Sequence, residues 1–166
     1  NFLTALHINH QTQCDSSSWQ IHCEKFCKKH NINFSCKSVE IKESGQGYEA
    51  AARSARLDIF NAFDEATVII LGHHLDDQVE TVFFRVLRGT GLKGLTGMQR
   101  HVKIKDKDFI RPLLHLTKEE ILKQATEYKL SFIEDQSNTD NAYSRNFLRN
   151  EIIPQISKRW PGAKKN

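Results

Sequence analysis

The sequence predicts an α/β fold, a doubly wound parallel sheet of the Rossmann-like type, incomplete at its N-terminus. Three observations predict it. Apolar segments that read as strands alternate with segments of helical periodicity, and the connections between them are short. The run Ala66 to Leu71 is apolar almost throughout, the pattern of a strand covered on both faces. With 39% hydrophobic and 27% charged residues and only 3 prolines, the 166-residue chain is neither collagen-like, low-complexity nor wholly disordered. No apolar run approaches the roughly 20 residues that cross a bilayer, and no signal-peptide pattern opens the chain. No membrane partner is therefore expected. The formal net charge of +4 permits a nucleic-acid partner without requiring one.

The elements follow in order. Phe2 to Ile8 reads as a strand that starts without preamble, so the chain is expected to be a piece of something longer. Trp19, Cys23, Phe26, Cys27 and His30 make one apolar face of a helix over 16–30, with Asp15 and Ser16 to Ser18 as cap candidates. A strand is expected over 33–41 with Phe34 and Val39 inward, then a break at Ser44-Gly45-Gln46-Gly47. A helix over 48–63 carries Arg53 and Arg56 on one side. After the 66–71 strand, a helix over 76–88 leads to a run with Gly89, Gly91, Gly94 and Gly97. Extended segments near 102–104 and 109–110 come next. Thr117-Lys118-Glu119-Glu120 is a capping box opening a helix through Tyr128. From Ile133 a polar stretch precedes a helix over 147–156. All of 1–166 reads as part of one domain, with 133–166 as its polar, helical extension.

Cys14, Cys23, Cys27 and Cys36 form no C-x-x-C pair, and they read as reduced thiols of a cytoplasmic protein rather than as zinc ligands. The densest polar cluster is Gly72-His73-His74-Leu75-Asp76-Asp77-Gln78-Val79-Glu80-Thr81, just past a buried strand. Ligands of open α/β sheets bind there. If His73 joins the first helical turn, His73, Asp77, Glu80 and Thr81 share a face. Two carboxylates and an imidazole can hold Mg²⁺, grip a cationic amine or move a proton. A helix cap accounts for one acidic residue, but not for five polar residues packed directly after a buried strand. The glycine run after Arg88 reads as a mobile loop whose backbone N–H groups approach an anion, with Arg85 and Arg88 adding positive charge. Arg111-Pro112-Leu113-Leu114 reads as a strand exit. The basic end, Lys158, Arg159, Lys164 and Lys165, reads as a solvated run or a contact for RNA phosphate.

These motifs together resemble the tRNA(Ile)-lysidine synthases of the N-type ATP-pyrophosphatase, or PP-loop, group. The resemblance rests on His7-Ile8-Asn9-His10, Glu49-Ala50-Ala51-Ala52-Arg53 with Arg56, and the block from Gly72 to Thr81. It continues through Arg88-Gly89-Thr90-Gly91 with Gly94-Leu95, Arg111-Pro112-Leu113-Leu114, Glu134-Asp135-Gln136-Ser137-Asn138 and Arg145-Asn146-Phe147-Leu148-Arg149. The family's Ser-Gly-Gly-x-Asp-Ser loop does not occur in these 166 residues. By the resemblance, the chain is a fragment of the catalytic domain, expected by itself to bind ATP poorly and to catalyse nothing.

The resemblance implies an adenine nucleotide alpha hydrolase-like fold and a ligase that adenylates the C2 oxygen of the wobble cytidine of tRNA(Ile). L-lysine then displaces AMP to form lysidine. It implies catalytic roles for His73, Asp77 and Glu80, and Mg²⁺ on Asp77 and Glu80. ATP would meet Arg53, Arg56, Arg88, Gly89, Thr90 and Gly91. Substrate would meet Asp76, Asp135, Asn138, Arg145, Asn146 and Arg149. The partners implied are L-lysine and the tRNA(Ile) with a CAU anticodon, and a homodimer is compatible with the pattern. Two alternatives stay open: a related PP-loop tRNA-modifying enzyme such as a tRNA cytidine thiolase, and a non-catalytic RNA-binding module.

Overall fold

Strand β1 (Thr4–Asn9) pairs in parallel with β2 (Asn33–Ser38), Leu6 lying opposite Ser35, in a computed structural model that describes residues 2–9, 16–39, 48–64 and 66–165. Helix α1 (Ser16–Lys29) makes the crossover, burying Cys27 from its apolar stripe. Asn31, at φ 53°, follows the helix in the left-handed region, where Asn is better tolerated than most residues. Helix α2 (Tyr48–Asn61) completes this first compact unit, residues 1–66. Burial raises the Cys23 thiol pKa first, and the neighbouring Cys27 and Cys36 add to the rise, so Cys23 remains a thiol at neutral pH. His10, Cys14, Asp15 and the break at 44–47 lie outside the described residues.

The second unit, residues 67–166, is built on a three-stranded sheet in the order β3-β5-β4. Strand β3 (Val68–Ile70) runs parallel to β5 (Lys107–Ile110), with Ile69 opposite Phe109. Strand β4 (His101–Ile104) is antiparallel to β5, joined to it through Lys105 and Asp106, a departure from the all-parallel expectation. A two-residue turn permits only an antiparallel neighbour. The β3 expectation is also corrected. Ile69 is buried, but Val68 and Ile70 are 46% and 61% exposed, so only one face of the strand is covered by described residues.

Helices α3 (Leu75–Leu87), α4 (Leu92–Leu95) and α5 (Lys118–Glu127) and a C-terminal helical run pack in the same unit. That run begins three residues earlier than the periodicity suggests. It comprises α6 (Ser144–Phe147), a wide π-helical turn (Leu148–Ile152) and α7 (Ile153–Arg159). Pro154 near the start of α7 lacks the N–H that an ordinary α-helical ladder would use, and the wide turn lies directly before it. Leu148 and Ile153 are buried, and the π turn and α6 pack on α3. The polar segment from 133 therefore folds against the helix that carries the His-Asp run.

The end of α3 is closed by a Schellman motif. The Gly89 N–H donates to the Val86 carbonyl at 3.0 Å and the Thr90 N–H to the Arg85 carbonyl at 3.2 Å, with Gly89 at φ 75°. The following loop is anchored rather than free. Gln78 on α3 donates Nε2–H to the Met98 carbonyl at 2.9 Å and accepts the Met98 N–H at 2.6 Å. Arg85 donates Nη1–H to the carbonyls of Gly94 and Gly97, at 3.1 and 2.8 Å. Gly97 sits at φ 65°, and a methyl group there would lie 2.7 Å from the Gln78 amide carbon. Gly97→Ala is expected to cost about 1–3 kcal/mol of stability through backbone strain and displacement of Gln78. Thermal melts check this, and a parental melting temperature would contradict it.

Candidate functional site at the N-terminus of helix α3

The first turn of a helix leaves amides without partners inside the helix. In α3 the local sequence supplies them. His74 is the N-cap: the Asp77 N–H donates to His74 Nδ1 at 3.4 Å, and the His74 N–H donates to Asp77 Oδ2 at 2.9 Å. This reciprocal pair fixes Asp77 at the third helical position. An accepting Nδ1 puts the ring proton on Nε2, which lies 3.5 Å from Asp77 Oδ2. The second carboxylate, Asp76 Oδ2, lies 3.9 Å from His74 Nδ1, so both carboxylates flank one imidazole. Asp77 Oδ1 has no hydrogen-bond donor among the described residues.

His73 precedes the cap, so the face drawn through His73, Asp77 and Glu80 does not form as expected. The helix starts two residues later than that face requires. His73 is half-buried in the segment between β3 and α3.

Asp76 ties three segments together. Its Oδ2 accepts the Lys118 N–H at 2.7 Å, and its Oδ1 accepts from Lys164 Nζ at 2.6 Å. The Leu75 N–H donates to the Leu116 carbonyl at 2.8 Å, so the starts of α3 and α5 abut. Thr117 caps α5 through the capping box with Glu120 that the sequence announces. Burial alone would raise the Asp76 carboxyl, but hydrogen bonds from Lys164 and the Lys118 amide outweigh it and hold the group below the usual carboxylate range. A depressed folded pKa adds stability above the unfolded value of about 3.9, and that stability disappears as pH falls through the folded value. In melts from about pH 6 down to about pH 3, the parent should lose more stability than Asp76→Asn. Equal losses would contradict this.

One turn deeper, Glu80 is 1% exposed. Both its oxygens are held by Arg149: Nε–H to Oε1 at 2.6 Å and Nη2–H to Oε2 at 2.9 Å. The hydrogen bond to Glu80 raises the Arg149 pKa further, and the paired charges of Asp77 and Asp76 add to it. Arg149 Nη1–H donates to Asn138 Oδ1 at 3.0 Å, linking the pair to the polar stretch. That stretch folds on itself. Asp135 Oδ1 accepts the N–H and Oγ–H of Ser137 at 2.9 and 2.7 Å, capping a single turn, Gln136–Thr139. Asn146 Nδ2–H donates to the carbonyls of Ser137 and Asp140, and Asn150 Nδ2–H to the Asn138 carbonyl and to Asn141 Oδ1.

The expected residues thus fall into groups. Asp76 and Asp77 gather around His74. Glu80, Arg149 and Asn138 form a second hydrogen-bonded set whose arginine feels the charges of Asp77 and Asp76, with Asp135 and Asn146 shaping the turn that carries Asn138. Arg88 and Arg145 meet on the ring of Phe84, their guanidinium carbons 5.1 and 5.8 Å from its centroid. Arg53 and Arg56 are exposed on α2 of the first unit. The amides of Gly89 and Thr90 are spent on closing α3, which corrects their expected role as anion donors. Gly91 instead N-caps α4. Arg85 is likewise engaged by carbonyls rather than open to phosphate. Phe84 was not singled out by sequence. His74 and Gln78 lie inside the dense block, and Lys164 belongs to the basic end read as a solvated run or an RNA contact, while no local signal marks Asp76 as its partner 88 positions away.

A family model for the PP-loop domain matches residues 1–156. The chain belongs to the PP-loop domain family. Its α/β architecture with parallel pairings fits that membership. The U34-tRNA thiolase NcsA from Methanococcus maripaludis, solved with its 4Fe-4S cluster, superposes with a TM-score of 0.75 at 19% identity, over 98% of this chain and 59% of the thiolase. At that identity the likeness concerns the fold. Among curated relatives, the tRNA(Ile)-lysidine synthase of Histophilus somni (strain 2336) is 42% identical over 159 residues, 95% of this chain. That of Legionella pneumophila (strain Lens) is 41% identical over 167 residues, 100% of this chain, and that of Pseudomonas fluorescens (strain Pf0-1) is 39% identical over 162 residues, 97% of this chain. This PP-loop chain spans 37%, 38% and 36% of the lengths of these three relatives.

Mg²⁺ takes oxygen ligands. Glu80 is 1% exposed and held on both oxygens by Arg149, so it is not presented to an entering ion. Among the described residues, no group of three or more His, Cys, Asp or Glu side chains is arranged to hold a metal ion. The expected Asp77–Glu80 metal pair does not fit the residues as placed. The nucleotide fares better: Arg88 is exposed, and an added Cβ at Gly91 would meet nothing within 4 Å, so an anion can approach the backbone there. Among the described residues, no helix is long and apolar enough to cross a membrane.

Proposed function

We propose that the complete protein carrying this chain ligates L-lysine to C2 of the wobble cytidine in the tRNA(Ile) with a CAU anticodon, in the cytoplasm, at the expense of ATP. The observation that carries this reading is the identity of 42% over 159 residues to a curated tRNA(Ile)-lysidine synthase. Two bond exchanges make up the reaction. The cytidine C2 oxygen bonds to the α-phosphorus of ATP and pyrophosphate leaves. The lysine side-chain amine then bonds to C2, the C2–O bond breaks, and AMP departs with the oxygen. Adenylation thereby turns a poor leaving group into a good one.

The rim of α3 suits the second step. The amine must arrive as an ammonium and lose a proton to attack. Asp76 and Asp77 flank the His74 imidazole, and Asp77 Oδ1 meets no donor among the described residues, which makes Asp77 our candidate for proton acceptor. Glu80 holds Arg149 and, through it, Asn138, so its part is positioning. Arg88 and Arg145, gathered on Phe84, are the candidates for phosphate charge.

Nucleoside mass spectrometry of tRNA from cells depleted of the protein tests the reading. Lysidine should vanish from tRNA(Ile) and thiolated bases persist. Loss of a thiolated base with lysidine intact would favour a thiolase instead.

A further inference from the structure

Asp76, one of the two carboxylates flanking His74, already holds an amine of the protein itself. Lys164 Nζ lies 2.6 Å from Asp76 Oδ1, with the side chains 34% and 17% exposed. The lysine belongs to a tight turn after α7, in which the Ala163 N–H donates to the Trp160 carbonyl and the Lys165 N–H to the Gly162 carbonyl, both at 2.9 Å. Lys165 Nζ stands 3.6 Å from Glu120 Oε1, at the start of α5. The turn is thus strapped by two ammonium groups across the abutting starts of α3 and α5.

A lysine side chain ends in a primary alkylammonium, the same head that substrate lysine carries. We propose that Asp76 is a seat for a primary alkylammonium and that Lys164 is its tethered occupant, displaced when the substrate amine binds. The inference rests on the lysine-ligating reading. The geometry explains why one oxygen of Asp76 is fixed by a backbone amide while the other faces an ammonium: the Lys118 N–H orients the carboxylate, and the Oδ1 side is where the cation exchanges. Asp77, whose Oδ1 meets no donor among the described residues, is the adjacent group that takes the proton. Exchange of one ammonium for another keeps the carboxylate paired in both states, so Asp76 is never left as an uncompensated, partly buried charge.

A tethered competitor raises the apparent dissociation constant of the free ligand by the fraction of time it occupies the seat. For a half-exposed ion pair that factor is modest. Steady-state lysidine formation by the complete protein, with lysine varied against saturating ATP and tRNA, tests it. Lys164→Met and Lys164→Gln should lower the lysine KM about three- to fivefold and leave the ATP KM where it is. Lys164→Arg, which keeps the charge on the tether, should keep the parental lysine KM. Free lysine should also raise the melting temperature of Lys164→Met more than that of the parent, a reading that needs no turnover.

An unchanged or higher lysine KM in both uncharged variants would overturn the inference. Failure of both to fold would overturn it too, since Lys164 would then be a structural clamp. A parent that forms no lysidine refutes the functional reading, whereas a lysidine-forming parent with insensitive variants refutes this inference alone.

Discussion

Glu80→Ala should destabilise the protein by about 3 kcal/mol, because it leaves the partly buried Arg149 guanidinium with its main partner gone. For a chain of this size that is a fall of about 6–12 °C in melting temperature. The residue is 1% exposed and its two oxygens are both engaged. Arg149→Ala should fall by a similar amount, because it strands the buried carboxylate and releases Asn138 from its donor. The double replacement Glu80→Leu with Arg149→Met should recover most of the loss, as apolar substitutes for buried ion pairs commonly do. Thermal melts of the two singles and the double check these expectations. A Glu80→Ala variant melting within about 1 °C of the parent would show that the pair adds little.

The second large effect is expected from a milder change. Asp77→Asn keeps an oxygen that accepts the His74 N–H, so the cap survives and stability should move by no more than about 0.5 kcal/mol. The amide cannot accept a proton from an ammonium. Lysine transfer by the complete protein should therefore fall about 10²- to 10⁴-fold, the usual worth of a positioned general base. Asp77→Ala would lose transfer and about 1 kcal/mol of capping as well. Glu80 and Asp77, equivalent carboxylates when only their spacing is known, are thus expected to separate cleanly: one governs stability and the other governs chemistry.

That separation marks where sequence reading stops. The strand–helix alternation, the capping box at Thr117 and Glu120, and the placement of the His-Asp run at a helix start were all legible, because each depends on neighbours a few residues apart. The partners of Asp76 and Glu80 were not. Lys164 and Arg149 reach them from 88 and 69 positions away, and local periodicity carries no trace of such pairings. The glycine run misled for a related reason. Four glycines suggest freedom, yet Gly89 serves the helix end, and Gly97 makes room for Gln78, which holds the loop down. The β3 expectation failed because an apolar run reports what a strand can bury, whereas Val68 and Ile70 stay largely exposed among the described residues.

The most direct test of the account follows isotope-labelled lysine into the tRNA(Ile) with a CAU anticodon, using the complete protein, ATP, and its Asp77→Asn variant with an unaltered melting temperature. The account predicts labelled lysidine from the parent and almost none from the variant. Unlabelled tRNA from an active parent preparation, or equal labelling by both proteins, would contradict it.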